Sequence, residues 1–249
     1  MEFTPSLLAL VLGAFLLAGG IKGLVGVGLP TVAIAVLINA IEPRDAIPLV
    51  VIPAIATNIW QALDGGRGVA LVKRFWPLLA MLCVGTWFGV EVLASSNQRL
   101  MSGIFGAILT LYALAGLLRP APPPPGRAEV WLSPVIGFLN GIVNGLTGSY
   151  IIPGTLYLEA LRLSRDELIQ AMGILFLVAS MSLGVSLTGH SVMTGTHALL
   201  SGLALIPAML GYYGGQLFRQ RLPEGQFRKI FFVCLVLLGT YTFVTCIFF

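Results

Sequence analysis

The sequence predicts an all-α integral membrane protein of two inverted-topology repeats, each a glycine-broken helical hairpin followed by three transmembrane helices. Three observations carry that expectation. The apolar residues fall in long uncharged blocks, a proline-rich stretch lies near the midpoint, and the same glycine pattern returns on either side of it.

The blocks come first. Of 249 residues, 57% are hydrophobic and 10% charged, where a soluble domain carries about 25% charged residues. So few charges cannot cover a water-facing surface. Residues 7–20, 46–63, 75–90, 101–118, 168–187, 197–217 and 230–249 are each nearly free of charge. Most reach the roughly 20 residues that cross about 30 Å of hydrocarbon, so they read as spanning helices that need a lipid bilayer. Nothing alternates over the short segments that a strand-built barrel uses. The net charge of +4 comes mainly from loop arginines. No basic cluster sits on a soluble segment, so no nucleic-acid partner is expected. Cys83, Cys234 and Cys246 form no metal-ligand spacing and read as buried packing residues. The first residues, Met-Glu-Phe-Thr-Pro, lack the basic start of a secretory signal and read as part of the mature protein.

The midpoint comes second. Residues 119–127 read RPAPPPPGR, a stiff extended linker between a first repeat, 1–118, and a second, 128–249. Residues 19–30 read GGIKGLVGVGLP and residues 141–153 read GIVNGLTGSYIIP. Gly19, Gly23, Leu24 and Gly26 align with Gly141, Gly145, Leu146 and Gly148, and Pro30 meets Pro153 after a one-residue gap. Arg44-Asp45 matches Arg165-Asp166, and Pro77, Gly85 and Gly89 resemble Pro207, Gly211 and Gly215. The order of features is the same in both parts, as an internal duplication requires.

Each half then reads alike. A short apolar segment (6–21, 131–143) runs into a glycine-rich break, and a second short segment (31–41, 155–161) follows. Most of these are too short to span alone. Cytoplasmic loops carry the excess of Lys and Arg. If each short pair folds back without a net crossing, Arg67, Lys73, Arg74, Arg119, Arg127, Arg162, Arg165, Arg219, Arg221, Arg228 and Lys229 share one side, against Arg44 and Arg99. If each pair crosses once, that bias collapses. The first arrangement puts the linker inside and both termini outside, and inverts the halves. Eight and ten membrane segments fit it equally.

The breaks carry the chemistry. A break inside a bilayer frees backbone groups that must face protein, water or a ligand. Half-helix N-termini present N–H donors and partial positive charge to an anion. Glycine lets the backbone approach it, and inverted repeats with interrupted helices are a transporter design. Lys22 is the one basic residue in an otherwise apolar segment, a functional candidate by default; snorkelling to the interface is the alternative. Amides around Gly23, Gly26 and Gly28, and around Gly145, Gly148 and Ser149, are the expected donors. Asn58, Asn144 and Thr147 are expected to tune selectivity, with Asn144 aligned to Lys22. Asn140, Gln61, Gln170, Ser180 and Ser182 read equally as packing or path residues. Asp166 and Glu167 read as helix-capping residues, and Glu91 is a lesser candidate for proton coupling. His190 and His197 lack carboxylate partners at ligand spacing, so no metal is expected. No hydrolase or nucleotide-binding motif is present, so neither catalysis nor a cofactor is expected.

The segment from Gly19 to Pro30, its echo at 140–153 and the later Pro and Gly pairs resemble the sulfite exporter TauE/SafE family. The echo departs from the family pattern at Ser149-Tyr150. The resemblance covers nearly the whole chain. It implies a multi-pass permease of a prokaryotic cytoplasmic membrane, moving sulfite, an organosulfonate or a related sulfur anion by a secondary mechanism with proton or sodium as possible coupling ion. An anion channel and a permease for another small anion, such as a carboxylate, are the alternatives.

Overall fold

The computed structural model describes residues 5–63, 65–118, 123–219 and 224–248. The described residues form helices and no strand: α1 (Pro5–Val25), α2 (Leu29–Leu37), α3 (Pro43–Leu49), α4 (Val51–Leu63), α5 (Gly68–Ser95), α6 (Gln98–Leu118), a 3-10 turn (Gly126–Ala128), α7 (Glu129–Thr147), α8 (Gly154–Ala160), α9 (Arg165–Gly189), α10 (Gly195–Arg219) and α11 (Glu224–Phe248). Seven helical runs among the described residues are long and apolar enough to cross a bilayer, with α3 and α4 counted as one. This is the multi-pass all-helical architecture expected from the apolar blocks. Residues 1–4, Arg119, Arg221 and the first part of the linker lie outside the described residues, as do the side chains of Arg219, Arg228, Lys229, Cys234 and Cys246.

The first arm of each broken pair is longer than expected. α1 does not stop at residue 21 but continues through Lys22 and Gly23 to Val25, and α7 continues through Asn144 and Gly145 to Thr147. A glycine inside a membrane helix does not end it when a neighbouring helix packs on that face. The second arms, α2 and α8, have 9 and 7 residues, too few to span.

The chain divides into two compact units, Met1–Pro53 with Ser96–Pro120 and Thr194–Phe249, and Ala54–Ser95 with Ala121–Met193. Each draws segments from both sides of the proline-rich stretch.

In the first unit, α1 lies along α10 with the backbones in contact. A methyl group on Gly19 or Gly23 would strike the carbonyl oxygen of Ala208 or Tyr212, and one on Gly211 or Gly215 would strike that of Leu16 or Gly20. α6 lies along α11 in the same manner, with Gly106 against Gly239. The gap between α3 and α4 has a local cause. Pro53 has no N–H to offer the Leu49 carbonyl one turn back. The Ser201 hydroxyl of α10 donates to that carbonyl instead, at 2.8 Å, and accepts the Ile52 N–H at 3.1 Å.

In the second unit, α7 lies along α5. Here a methyl on Gly141 or Gly145 would strike the carbonyl of Leu82 or Thr86, and one on Gly85 or Gly89 that of Phe138 or Ile142. The four glycines of each unit are those that the sequence aligns, so the same backbone approach occurs twice. α9 packs on α5 and begins at a capping box, Ser164 with Glu167, which is the capping role expected there. Glu167 also pairs with Arg67, and Arg74 forks onto the Glu129 carboxylate at 2.7 and 2.8 Å.

Trp60, Trp76, Trp87 and Trp131 are exposed, with many Leu and Val side chains. Such a surface suits lipid rather than water. Cys83, expected to be buried, is exposed. It follows Leu82, whose face packs inward, so residue 83 falls on the outward side of α5, where a thiol behaves as a small apolar group.

Candidate functional site

The first break follows from two glycines. Gly26 closes α1, its N–H donating to the Lys22 carbonyl at 2.7 Å. Gly28 caps α2 at φ 102°, a left-handed conformation that a side chain resists. Pro30 falls in the first turn of α2, where its missing N–H is not needed. Lys22 lies in the last turn of α1 rather than in the break. Its side chain is 2% exposed, so it does not snorkel outward from a segment end. Gly23 is helical, and the carbonyl of Tyr212 occupies the space a side chain would need.

The second break lies in the other unit and is richer in polar groups. Gly148 ends α7 at φ 68°, its N–H donating to the Asn144 carbonyl. The Ser149 N–H donates to Thr147 Oγ1 at 3.2 Å, and Thr147 Oγ1 donates back to the Val143 carbonyl at 2.6 Å. Asn140 Oδ1 accepts the N–H of Gly154, the first residue of α8, at 3.0 Å, which holds α8 to α7. Asn144 Nδ2 donates to Thr86 Oγ1 at 3.2 Å and to the Ala179 carbonyl at 3.0 Å. Asn140, Asn144 and Thr147 are fully buried. Gly145 is helical and packed against the α5 backbone.

Asn58 of α4 belongs to the same unit. Its Nδ2 donates to the Tyr150 hydroxyl at 3.0 Å and to Ser180 Oγ at 3.1 Å, so the polar cluster of α4 and α9 meets the residue after Ser149. Of the sequence-derived candidates, Asn58, Asn144, Gly145, Thr147, Gly148 and Ser149 therefore share one unit, while Lys22, Gly23, Gly26 and Gly28 share the other. Asn140 emerges as a full member of the second break. Tyr150 and Thr86 were not anticipated; a hydroxyl-bearing ring inside the break was the available signal for Tyr150.

Other polar residues have packing duties. Gln170 accepts the Arg67 N–H at 3.0 Å and donates to the Ala62 carbonyl at 3.1 Å, which pins the turn between α4 and α5. His197, which lacks a carboxylate at ligand spacing in the sequence, meets one in the fold: its Nε2 lies 3.1 Å from Asp45 Oδ1. The two residues are 152 positions apart, beyond any spacing rule.

One unit thus holds a buried lysine, and the other a break lined by amides and hydroxyls. Residues 11–242 match the family described as Sulfite exporter TauE/SafE. No curated protein and no solved structure matches the chain.

Proposed function

The chain belongs to the sulfite exporter TauE/SafE family, and from that premise we propose that it is a secondary transporter of a small sulfur-containing anion, sulfite or an organosulfonate. It works in the cytoplasmic membrane of a prokaryote, with proton or sodium as coupling ion. The observation that carries the reading is the burial of Lys22, 2% exposed in a spanning helix. A lysine ammonium inside a membrane protein is costly and marks an ion or substrate path. Lys22 supplies positive charge. Gly23, Gly26 and Gly28 keep the backbone beside it free of side chains. Asn58, Asn144, Gly145, Thr147, Gly148 and Ser149 form a neutral polar region that tunes selectivity.

The paired glycine approaches, Gly19 and Gly23 with Gly211 and Gly215, and Gly141 and Gly145 with Gly85 and Gly89, support two repeats, 1–118 and 128–249. The Lys and Arg distribution supports inversion of those repeats, with both termini outside.

The test is uptake into proteoliposomes of labelled sulfite, sulfoacetate, thiosulfate and carboxylates, under imposed proton or sodium gradients. Saturable uptake of a sulfur anion, accelerated by counterflow, is expected. Flux linear in concentration would make the protein a channel, and preference for carboxylates would overturn the substrate class.

A further inference from the structure

We infer that the second break carries a subsite for a singly protonated oxyanion, one that offers an O–H as well as acceptor oxygens. The inference rests on the function proposed above and concerns the form of the anion. It comes from two atoms. Among the described residues, Asn140 Nδ2 and Asn144 Oδ1 are buried side-chain atoms without a hydrogen-bond partner. The two residues lie four apart on α7, so they share one face of the helix. The large majority of buried side-chain polar atoms have a hydrogen-bond partner, from protein or water, so two left over on one helix face call for a cause.

The backbone fixes which atom of each amide is left over. Asn140 receives the Gly154 N–H. An N–H only donates, so the oxygen faces it and the NH2 remains. Asn144 faces the Ala179 carbonyl. A carbonyl only accepts, so the NH2 faces it and the oxygen remains. Thr86 agrees with this orientation: its hydroxyl proton goes to the Leu82 carbonyl at 2.8 Å, which leaves Oγ1 to accept from Asn144. The unsatisfied pair is therefore one donor and one acceptor, a helical turn apart.

A fully deprotonated oxyanion has only acceptors. It satisfies Asn140 Nδ2 but turns a negative oxygen toward the lone pairs of Asn144 Oδ1. Hydrogen sulfite in its hydroxyl form, HO–SO2⁻, satisfies both: an S–O oxygen accepts from Asn140 and the O–H donates to Asn144. Sulfite dianion, sulfate and a sulfonate cannot do this. Sites built to hydrogen-bond a hydroxyl discriminate strongly against analogues that lack it.

The experiment measures sulfite uptake into proteoliposomes of the full-length protein, at fixed total sulfite and varied pH. An ionophore collapses the proton gradient; pH then acts on the protonation of the anion and of titratable protein groups, and the competitors, compared at one pH, separate the two. Methanesulfonate and sulfate are the competitors, and Asn140→Asp is the variant. That variant keeps an oxygen for the Gly154 N–H and replaces the free donor with a second oxygen. Wild-type uptake should follow the hydrogen sulfite fraction. Methanesulfonate and sulfate should compete about tenfold more weakly or worse, and Asn140→Asp should lower uptake about tenfold or more. Uptake that follows the dianion, or equal competition by methanesulfonate, overturns the subsite while leaving the transporter intact. A folded Asn140→Asp variant with wild-type uptake does so too. If the variant melts early and the competition pattern is flat, the two atoms hold a structural water and the subsite is overturned. Both wild-type measurements decide the matter even if the variant does not fold. Failure of the wild type to move any sulfur anion overturns the proposed function and the subsite together.

Discussion

His197 Nε2 of α10 lies 3.1 Å from Asp45 Oδ1 of α3, and the same imidazole caps its own helix. Its Nδ1 accepts the Thr194 N–H at 3.2 Å, while Thr194 Oγ1 accepts the His197 N–H at 3.3 Å. This is the reciprocal arrangement of a capping box, with a ring nitrogen in place of a carboxylate. Because Nδ1 accepts, the proton of the neutral ring resides on Nε2 and points at Asp45. His197→Ala removes both bonds and should lower stability by about 1–2 kcal/mol. Asp45→Asn keeps an acceptor in place and should be milder. Thermal melting of the two variants in detergent gives the order, and an equal loss would dissociate the cap from the pair.

The α1–α10 contact allows a sharper comparison within a single helix. Gly211 faces the Leu16 carbonyl at a separation that admits no methyl, whereas Gly214 faces open space. Gly211→Ala should therefore destabilise by about 1–3 kcal/mol through overpacking. Gly214→Ala should be neutral or stabilising by up to about 1 kcal/mol, since alanine is the better helix former. Melting curves of the two purified proteins check this, and matching curves would mean that the backbones do not touch.

Lys22→Gln preserves length and polarity but removes the charge. Anion affinity should fall about tenfold or more, equivalent to about 1.4 kcal/mol, with melting close to that of the wild type. Substrate-dependent stabilisation, measured alongside uptake, separates loss of binding from loss of fold. Unchanged affinity in a well-folded Lys22→Gln protein removes the lysine from the mechanism.

At the second break, Asn58→Leu withdraws the donor shared by Tyr150 and Ser180, although the Ser180 hydroxyl keeps its bond to the Phe176 carbonyl at 2.7 Å. A loss of about 1–3 kcal/mol is expected. Tyr150→Phe, which removes one hydroxyl and leaves Asn58 its bond to Ser180, should cost less. Urea or thermal unfolding of both proteins tests the ranking.

The spans were legible because hydrocarbon imposes a length on them, and block lengths are visible without knowing any contact. The glycine pairs were legible for a related reason. Where two backbones touch, only glycine fits, so Gly19, Gly23, Gly211 and Gly215 leave a mark that survives without an alignment. Helix ends inside the membrane were harder to place. Lys22 and Asn144 read as parts of the breaks because glycines surround them, yet those glycines serve helix contacts and the helices run on to Val25 and Thr147. Partners far apart in sequence were not legible: nothing local announces that Asn58 meets Tyr150, that Ser201 mends the backbone at Pro53, or that Asp45 meets His197. Only Thr194-x-x-His197 carried a trace, as a capping box with an unfamiliar acceptor.

The mixed membership of the two units sets an order of events during synthesis. Every segment of the second unit has been made once the ribosome passes Met193, whereas the first unit still lacks α10 and α11. α1 leaves the ribosome first, yet the groove that receives Gly19 and Gly23 belongs to one of the last helices translated. For most of translation, the buried lysine of α1 must wait among lipids or insertion factors. A chain truncated before Thr194 leaves that helix with α2 but without α10.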